Sequence, residues 1–325
     1  MKLTRRFLLT AASALCSLAA VSTAHAQAYP SRPVTVIVPY AVGGTTDIVA
    51  RLASGQIAGS LGQPLVVENR VGGGGVVGWG AVARSAPDGY TLLTTEMSFT
   101  IAPGLLPRLP FDGKKDFSHV ITAAAAPHVL VINPDVPAKT VGEFIALAKT
   151  KPGLLNYGSG GNGTNTHLGG ELFKRAAGID LMHVPYKGAG QVLTDLMGGQ
   201  VQALVTSLPT ALPHIKSGKL RALVVTSDTR SLLLPDVPSA KEAQLPSFVM
   251  DFWVGFAVPA GTPQPIVEKL NQAIASSLST PEGKRRLQEQ GLHPVLNTPA
   301  QATQQAESEM ARWAAIVKSA GIKAE

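Results

Sequence analysis

Residues 36–53 read VIVPYAVGGTTDIVARLA. A run of β-branched, apolar residues closes in Pro39-Tyr40-Ala41-Val42. Gly43-Gly44-Thr45-Thr46-Asp47 follows, and the apolar spacing then changes from that of a strand to that of a helix. A buried strand that feeds a helix through small residues leaves the first amides of that helix uncovered. Those amides carry about half a positive charge. Glycine lets a ligand approach the backbone, and threonine hydroxyls add short donors. The stretch reads as an anion site that needs neither lysine nor arginine.

The same device recurs in NYGSGGNGTNTH (156–167), VPYKGAGQ (184–191) and the glycine-richest run, NRVGGGGVVG (69–78). The last is read as more remote from the site. In open α/β sheets, ligands collect beyond the carboxyl ends of strands, so several such turns predict one binding cleft. Strand patterns occupy 34–39, 64–68, 90–95, 128–132, 154–157, 181–185, 201–205 and 220–226, with VGFAVP strand-like near the end. Helical patterns occupy 47–61, 76–84, 167–177 and 191–197, and Thr140 with Glu143 has the form of a capping box. This alternation predicts an α/β fold with a parallel sheet. Thr262-Pro263, Thr280-Pro281 and Thr298-Pro299 predict three further helices, each with a threonine cap and proline in the first turn.

The N-terminus is set apart from the fold. Lys2, Arg5 and Arg6 precede an uncharged apolar run at 7–21, and Ala24-His25-Ala26 has the A-x-A form of a cleavage site. Residues 1–26 are therefore expected to be a signal peptide cut after Ala26, and the mature chain to be periplasmic. Thr4-Arg5-Arg6-Phe7-Leu8 resembles a twin-arginine signal that lacks one residue before Phe-Leu, which leaves the export route open. The single cysteine, Cys16, lies in this segment, so the mature chain is expected to hold no disulfide, thiol nucleophile or cysteine metal site. Without its three basic residues the count is 25 basic against 21 acidic, a net charge of +4. That modest charge, with no Lys/Arg run interleaved with aromatics, argues against a nucleic-acid partner. Hydrophobic residues make up 45% of the chain, enough to bury a large core in two domains.

Catalytic signatures fare poorly. Residues 158–163, GSGGNG, satisfy G-x-G-x-x-G between a strand and a helix. The next strand, however, ends Pro185-Tyr186-Lys187, and Asp180 lies before it instead of at its end, where a ribose would need an acid. There is no Walker A lysine, no G-x-S-x-G and no H-E-x-x-H. His119, His128, His167, His183, His214 and His293 lack metal-ligand spacing. His167 with Ser159 could form a hydrolase pair, but no orienting acid is evident, and His167 is expected to cap or line a cleft. Phe252 and Trp253 are expected at a domain interface, with lining of the cleft mouth as the alternative. No cofactor and no metal are expected.

Six segments, YPSRPVTVIVPYAVGGTTDIVAR, VVENRVGGGGVVG, PDGYTLL, LNYGSGGNGTNTHLGGELF, HVPYKGAGQVLTDLMGGQV and FWVGFAVPAGTP, span nearly the whole mature chain. In order and spacing they resemble the extracytoplasmic solute-binding receptors of tripartite tricarboxylate transporters, the Bug proteins. The resemblance implies a two-lobed, type II periplasmic-binding fold with the ligand cleft between lobes and two crossover hinge strands. It implies lobe I at 27–123 and 227–325 and lobe II at 124–226. It implies a small organic carboxylate held largely by backbone amides and bridging waters, and a monomer that delivers this ligand to integral-membrane transporter subunits. Tyr40, Ala41, Gly43, Gly44, Thr45, Thr46 and Asp47 would form the first wall. Ser159, Gly160, Thr164, Thr166 and His167 would form the second, with Thr206 and Ser207 as further candidates.

Thr95, Glu96 and Ser98 join the candidates because the sequence departs from the family there: Thr94-Thr95-Glu96-Met97-Ser98 stands where small residues are usual. Glu96 pointing into the cleft would repel a dicarboxylate and favour an ammonium or amide; pointing outward, it would change nothing. The rival reading is an exported enzyme, a hydrolase or nucleotide-dependent oxidoreductase, which should show a coupled nucleophile and base or a bound cofactor. Within the receptor class, the alternative is a ligand sensor feeding a two-component kinase.

Overall fold

The first strand and helix form where the opening stretch places them, β1 (Val34–Val38) and α1 (Thr45–Leu61). Gly62 stops the helix in the left-handed conformation, φ 84°. The computed structural model describes residues 29–322, and its fold is that of the unit beginning at Arg32. The signal peptide, the twin-arginine feature and Cys16 lie outside the described residues. β2 (Leu65–Asn69), a short turn of 3-10 helix at Gly73–Gly75, α2 (Val76–Ala83), β3 (Thr91–Glu96) and α3 (Met97–Leu105) follow. β1 lies between β2 and β3, parallel to both.

The middle of the chain runs β4 (Phe117–Ile132), α4 (Val141–Thr150), β5 (Asn156–Ser159), α5 (Asn165–Ala177), β6 (Met182–Pro185), α6 (Ala189–Met197), β7 (Ala203–Ser207), α7 (Leu208–Lys216) and β8 (Arg221–Val225). The C-terminal part holds β9 (Asp251–Pro259), α8 (Gln264–Ser279), α9 (Pro281–Glu289), β10 (His293–Pro294) and α10 (Pro299–Ala320). The strand order is β2-β1-β3-β9-β4-β7-β5-β6, with β8 and β10 also paired to β4. The sheet is mixed, where alternation predicted a parallel one. Its flanks are parallel, but β9 and β4 run antiparallel to their neighbours.

β4 organises this topology. Its residues 117–127 pair with β9, and 128–132 lie between β7 and β8. Only the last of these stretches was readable as a strand. Ala123–Ala126 has little intrinsic strand preference, and pairing plus near-complete burial overrides it. The partner change falls at Pro127, which has no amide to give a ladder. Beside it, the Thr226 hydroxyl accepts from His128 N at 2.9 Å and donates to Met250 O at 2.6 Å, tying β4 to the segment that returns toward β9.

α3 and α7 were not readable as helices. Pro103 lies inside α3 and Pro213 inside α7, and interior proline ordinarily argues against a helix. The caps also differ in detail. Thr140 accepts from Glu143 N, but Glu143 returns its bond to Lys139 N, so the box is only half closed. Thr298 and Gln301 complete a reciprocal box, and Thr280 caps α9. Thr262 does not cap α8; its hydroxyl donates to Pro259 O, and Pro263 is the capping residue.

The core is aromatic at both ends. Phe99 meets Trp79 edge-on at 5.6 Å and Phe117 at 5.1 Å. Phe144, Phe173, Tyr157 and Phe248 join Trp313 of α10 in a second cluster. Among the described residues no helix is long and apolar enough to cross a membrane.

Candidate functional site

A cavity of about 370 Å³ lies where several helices begin. Gly43–Thr46 at the start of α1, Glu96 and Ser98 at α3, Thr164–Thr166 at α5, Gly188 and Gly190 at α6 and Ser207, Pro209 and Thr210 at α7 all line it. The strands before these helices end at the cavity, so the turn residues are the wall.

The start of α1 is open. Gly44 is the capping residue with no side-chain cap, so the first-turn amides of Thr45, Thr46 and Asp47 have no intrahelical acceptor. Gly43 supplies the conformation that only glycine adopts easily, φ 86°, while Gly44 is extended with φ −72°. Asp47, a candidate for the wall, does not line the cavity. Its buried carboxylate accepts from Gly43 N at 3.0 Å, Arg51 Nε at 2.9 Å and Asn69 Nδ2 at 3.0 Å, and so fixes the turn. Burial alone would raise the Asp47 carboxyl, but the hydrogen bonds from Arg51, Gly43 and Asn69 outweigh it and hold it below the usual range.

The start of α5 is closed by its own side chains. Gly160 N donates to Thr166 Oγ1 at 2.8 Å, Gly163 N to His167 Nδ1 at 3.3 Å, and Thr164 caps His167 N at 3.4 Å. Gly160, Thr164 and Thr166 line the cavity; Ser159 and His167 do not. The Ser159 hydroxyl is fully buried and contacts His183 Nε2 at 2.6 Å, and His167 stacks on His183 at 4.2 Å. Burial, and then the neighbouring His167, push the His183 imidazole down to about 4. Thr206 and Ser207 line the cavity, and Ser207 Oγ meets Thr45 Oγ1 at 2.7 Å, joining the two walls directly. Thr95 stays out of the cavity, buried toward β9 with its hydroxyl unpartnered.

Glu96 faces the cavity as its capping carboxylate for α3. It accepts from Ser98 N at 2.9 Å, from Asn165 Nδ2 at 3.0 Å and from the Tyr40 hydroxyl. Asn165 N also donates to Ser98 Oγ at 2.9 Å, so this cluster too spans both walls. Burial pushes the Glu96 carboxyl up against the lowering effect of these bonds, and burial followed by the Glu96 charge raises the Tyr40 hydroxyl.

Several lining residues were missed. Gly72, Gly74 and Gly75 place the glycine run after β2 at the cavity, not remote from it. Gly78 packs tightly: an added Cβ would stand 2.7 Å from Pro39 Cβ. Lys187, Gly188 and Gly190 belong to a turn whose composition had already marked it. Thr210 and His214 had no sequence signal, because their helix was hidden by its prolines. Phe252 lines the cavity and meets His128 edge-on at 5.5 Å, while Trp253 is buried.

The family model described as "Tripartite tricarboxylate transporter family receptor" matches residues 49–322. The chain belongs to that family. Protein BugT of Bordetella pertussis is 39% identical over 300 residues, covering 92% of each chain. Among solved structures, MatC from Rhodopseudomonas palustris with bound malate has a TM-score of 0.84 at 36% identity, covering 89% of this chain and all of that one. R. palustris Rpa4515 with adipate has a TM-score of 0.87 at 34% identity, covering 91% and 99%. "Structure of periplasmic binding protein BugD" matches at 0.86 and 32%, covering 91% and 99%. These structures share the mixed α/β fold of this chain, the fold of a periplasmic binding protein.

Proposed function

We propose that this receptor holds a small organic carboxylate in the cavity and delivers it, as a periplasmic monomer, to the membrane subunits of a tripartite transporter. The observation that carries the reading is the uncapped start of α1, whose amides face the cavity beside the Thr45 and Thr46 side chains. The malate and adipate held by the two Rhodopseudomonas proteins support the ligand class. A lobe I of 27–123 and 227–325 and a lobe II of 124–226 give the chain two crossings. Support comes from β4, which changes partners at Pro127, and from the Thr226 bonds beside it.

The reading is of a binding protein without catalysis. The buried Ser159 hydroxyl has no access to the cavity, and the amides of Gly160 and Gly163 are spent on Thr166 and His167, leaving no cradle for a pyrophosphate. A thermal-shift panel of small carboxylates, malate and adipate included, tests the reading. A ligand at 100 times its Kd adds about 2.7 kcal/mol of stability. A panel in which no carboxylate moves the melting temperature would refute it. Shared deletion phenotypes with transporter subunits, not with a histidine kinase, would separate transport from sensing.

A further inference from the structure

At α3 the chain supplies its own anion. Glu96 is fully buried and lines the cavity, yet its donors are neutral: the Tyr40 hydroxyl, Ser98 N and Asn165 Nδ2. Among the described residues no lysine, arginine or histidine pairs with it. Buried charges ordinarily find a cationic partner. Here the unpaired carboxylate forms part of a ligand cavity.

We propose that Glu96 sets the solute class: an acid with a single carboxylate whose other end is an ammonium or similar hydrogen-bond donor, preferred over a dicarboxylate of the same length. The proposal rests on the reading of this cavity as a carboxylate site. Glu96 and the start of α1 line the same cavity, so a second carboxylate shares that space with Glu96. With little water between them, two like charges repel far more strongly than in solvent.

The network around Glu96 points the same way. Tyr40 donates a hydrogen bond to Glu96, and the Ser98 hydroxyl stands within reach of both groups. Of the roughly four acceptor positions of the carboxylate, Tyr40, Ser98 N and Asn165 Nδ2 take three, and the Ser98 hydroxyl is in reach as well. An ammonium brought to this corner meets a negative charge with no cationic partner, whereas a second carboxylate meets a like charge.

The other charged groups at the cavity do not cancel this preference. Lys187 is exposed, so solvent screens it. His214 lies on α7, and His128 reaches Glu96 only through Asn165 Oδ1. Asp47 is turned to Arg51 and Asn69. Burial, which raises the Glu96 carboxyl, leaves a dicarboxylate one route in: proton uptake by Glu96 on binding.

Calorimetry on the mature protein at pH 7.5 tests this with length-matched probes: succinate against 4-aminobutanoate, glutarate against 5-aminopentanoate, and adipate against 6-aminohexanoate. The amino acid of at least one pair should bind at least tenfold tighter than its dicarboxylate. Glu96→Gln, which keeps the side-chain shape, should remove or reverse that ratio. Equal affinities in the wild type, or a ratio unchanged in Glu96→Gln, overturn the proposal while leaving the carboxylate reading intact. If no member of any pair binds while another carboxylate of the thermal-shift panel does, the proposal is overturned and the carboxylate reading stands. Should Glu96→Gln fail to fold, the wild-type ratio alone decides.

Discussion

The turn at 41–47 and the turn at 159–167 are both small-residue links from a strand to a helix, and both reach the cavity. Their amides meet different fates. In the second, Thr164, Thr166 and His167 turn back and take the backbone donors for themselves. In the first, only Gly43 N is taken, by Asp47, and the helix start carries no cap. Composition alone does not distinguish a receiving wall from a braced one. The deciding feature is whether a later hydroxyl or imidazole folds back onto the turn amides, as Thr166 does to Gly160 and His167 to Gly163.

The sharpest way to break this comparison is Gly44→Val. A Cβ at Gly44 meets nothing closer than Ala41 O at 3.6 Å, and φ −72° suits valine, so the fold should survive. The methyls would crowd the open amides. Charge-assisted hydrogen bonds contribute about 1.5–3 kcal/mol each, so losing two raises Kd about a hundredfold or more. Calorimetry with a ligand from the panel, and circular dichroism for the fold, check it. Unchanged affinity would move the anion away from the first turn.

Asp47→Asn tests the brace of the first turn. Removing the charge that Arg51 and Gly43 N share should lower stability by about 1.5–3 kcal/mol. The Asp47 carboxyl is held below its unfolded value of about 3.9. Its contribution is therefore full above that value and is lost as pH falls through the lower, folded value. Urea melts of the two proteins should differ at pH 7 and converge in acid; a constant difference across pH would remove the ionic account.

Thr164→Ala opens the second turn. A lost cap lowers stability by about 1 kcal/mol, and ligand affinity should move far less than in Gly44→Val. An affinity loss as large as that of Gly44→Val would erase the distinction between the walls. Gly59→Ala is the quiet control, exposed inside α1 with nothing within 4 Å of a new Cβ. It should raise stability by about 0.5–1 kcal/mol and leave binding unchanged, as a thermal melt and a titration will show.

Much of the fold is legible in the sequence alone. The β1 to α1 turn, the recurring glycine devices and the Thr-Pro helix starts at 280 and 298 follow from local chemistry that needs no tertiary partner. The antiparallel centre is not legible. β4 is a strand because β9, β7 and β8 pair with it, and alanines at 123–126 carry no record of that. The site is half legible for the same reason. Tyr40 to Thr46 can be named from the turn itself, whereas Asn165 and Thr210 enter only because α5 and α7 carry them across to Ser98 and Thr45. Ser159, His167 and Asp47 mark the opposite error: the right residue types in the right turns, with their polar atoms committed elsewhere.

The partner change in β4 has a consequence for the timescale of release. Pro127 removes one rung at the junction, and the Thr226 hydroxyl stands beside it with contacts to His128 and Met250. A hydroxyl can rotate between such partners without either strand unpairing. On the two-lobe reading proposed above, movement of one lobe against the other then requires no local unfolding, and the amide of His128 should stay protected from hydrogen exchange with and without bound ligand.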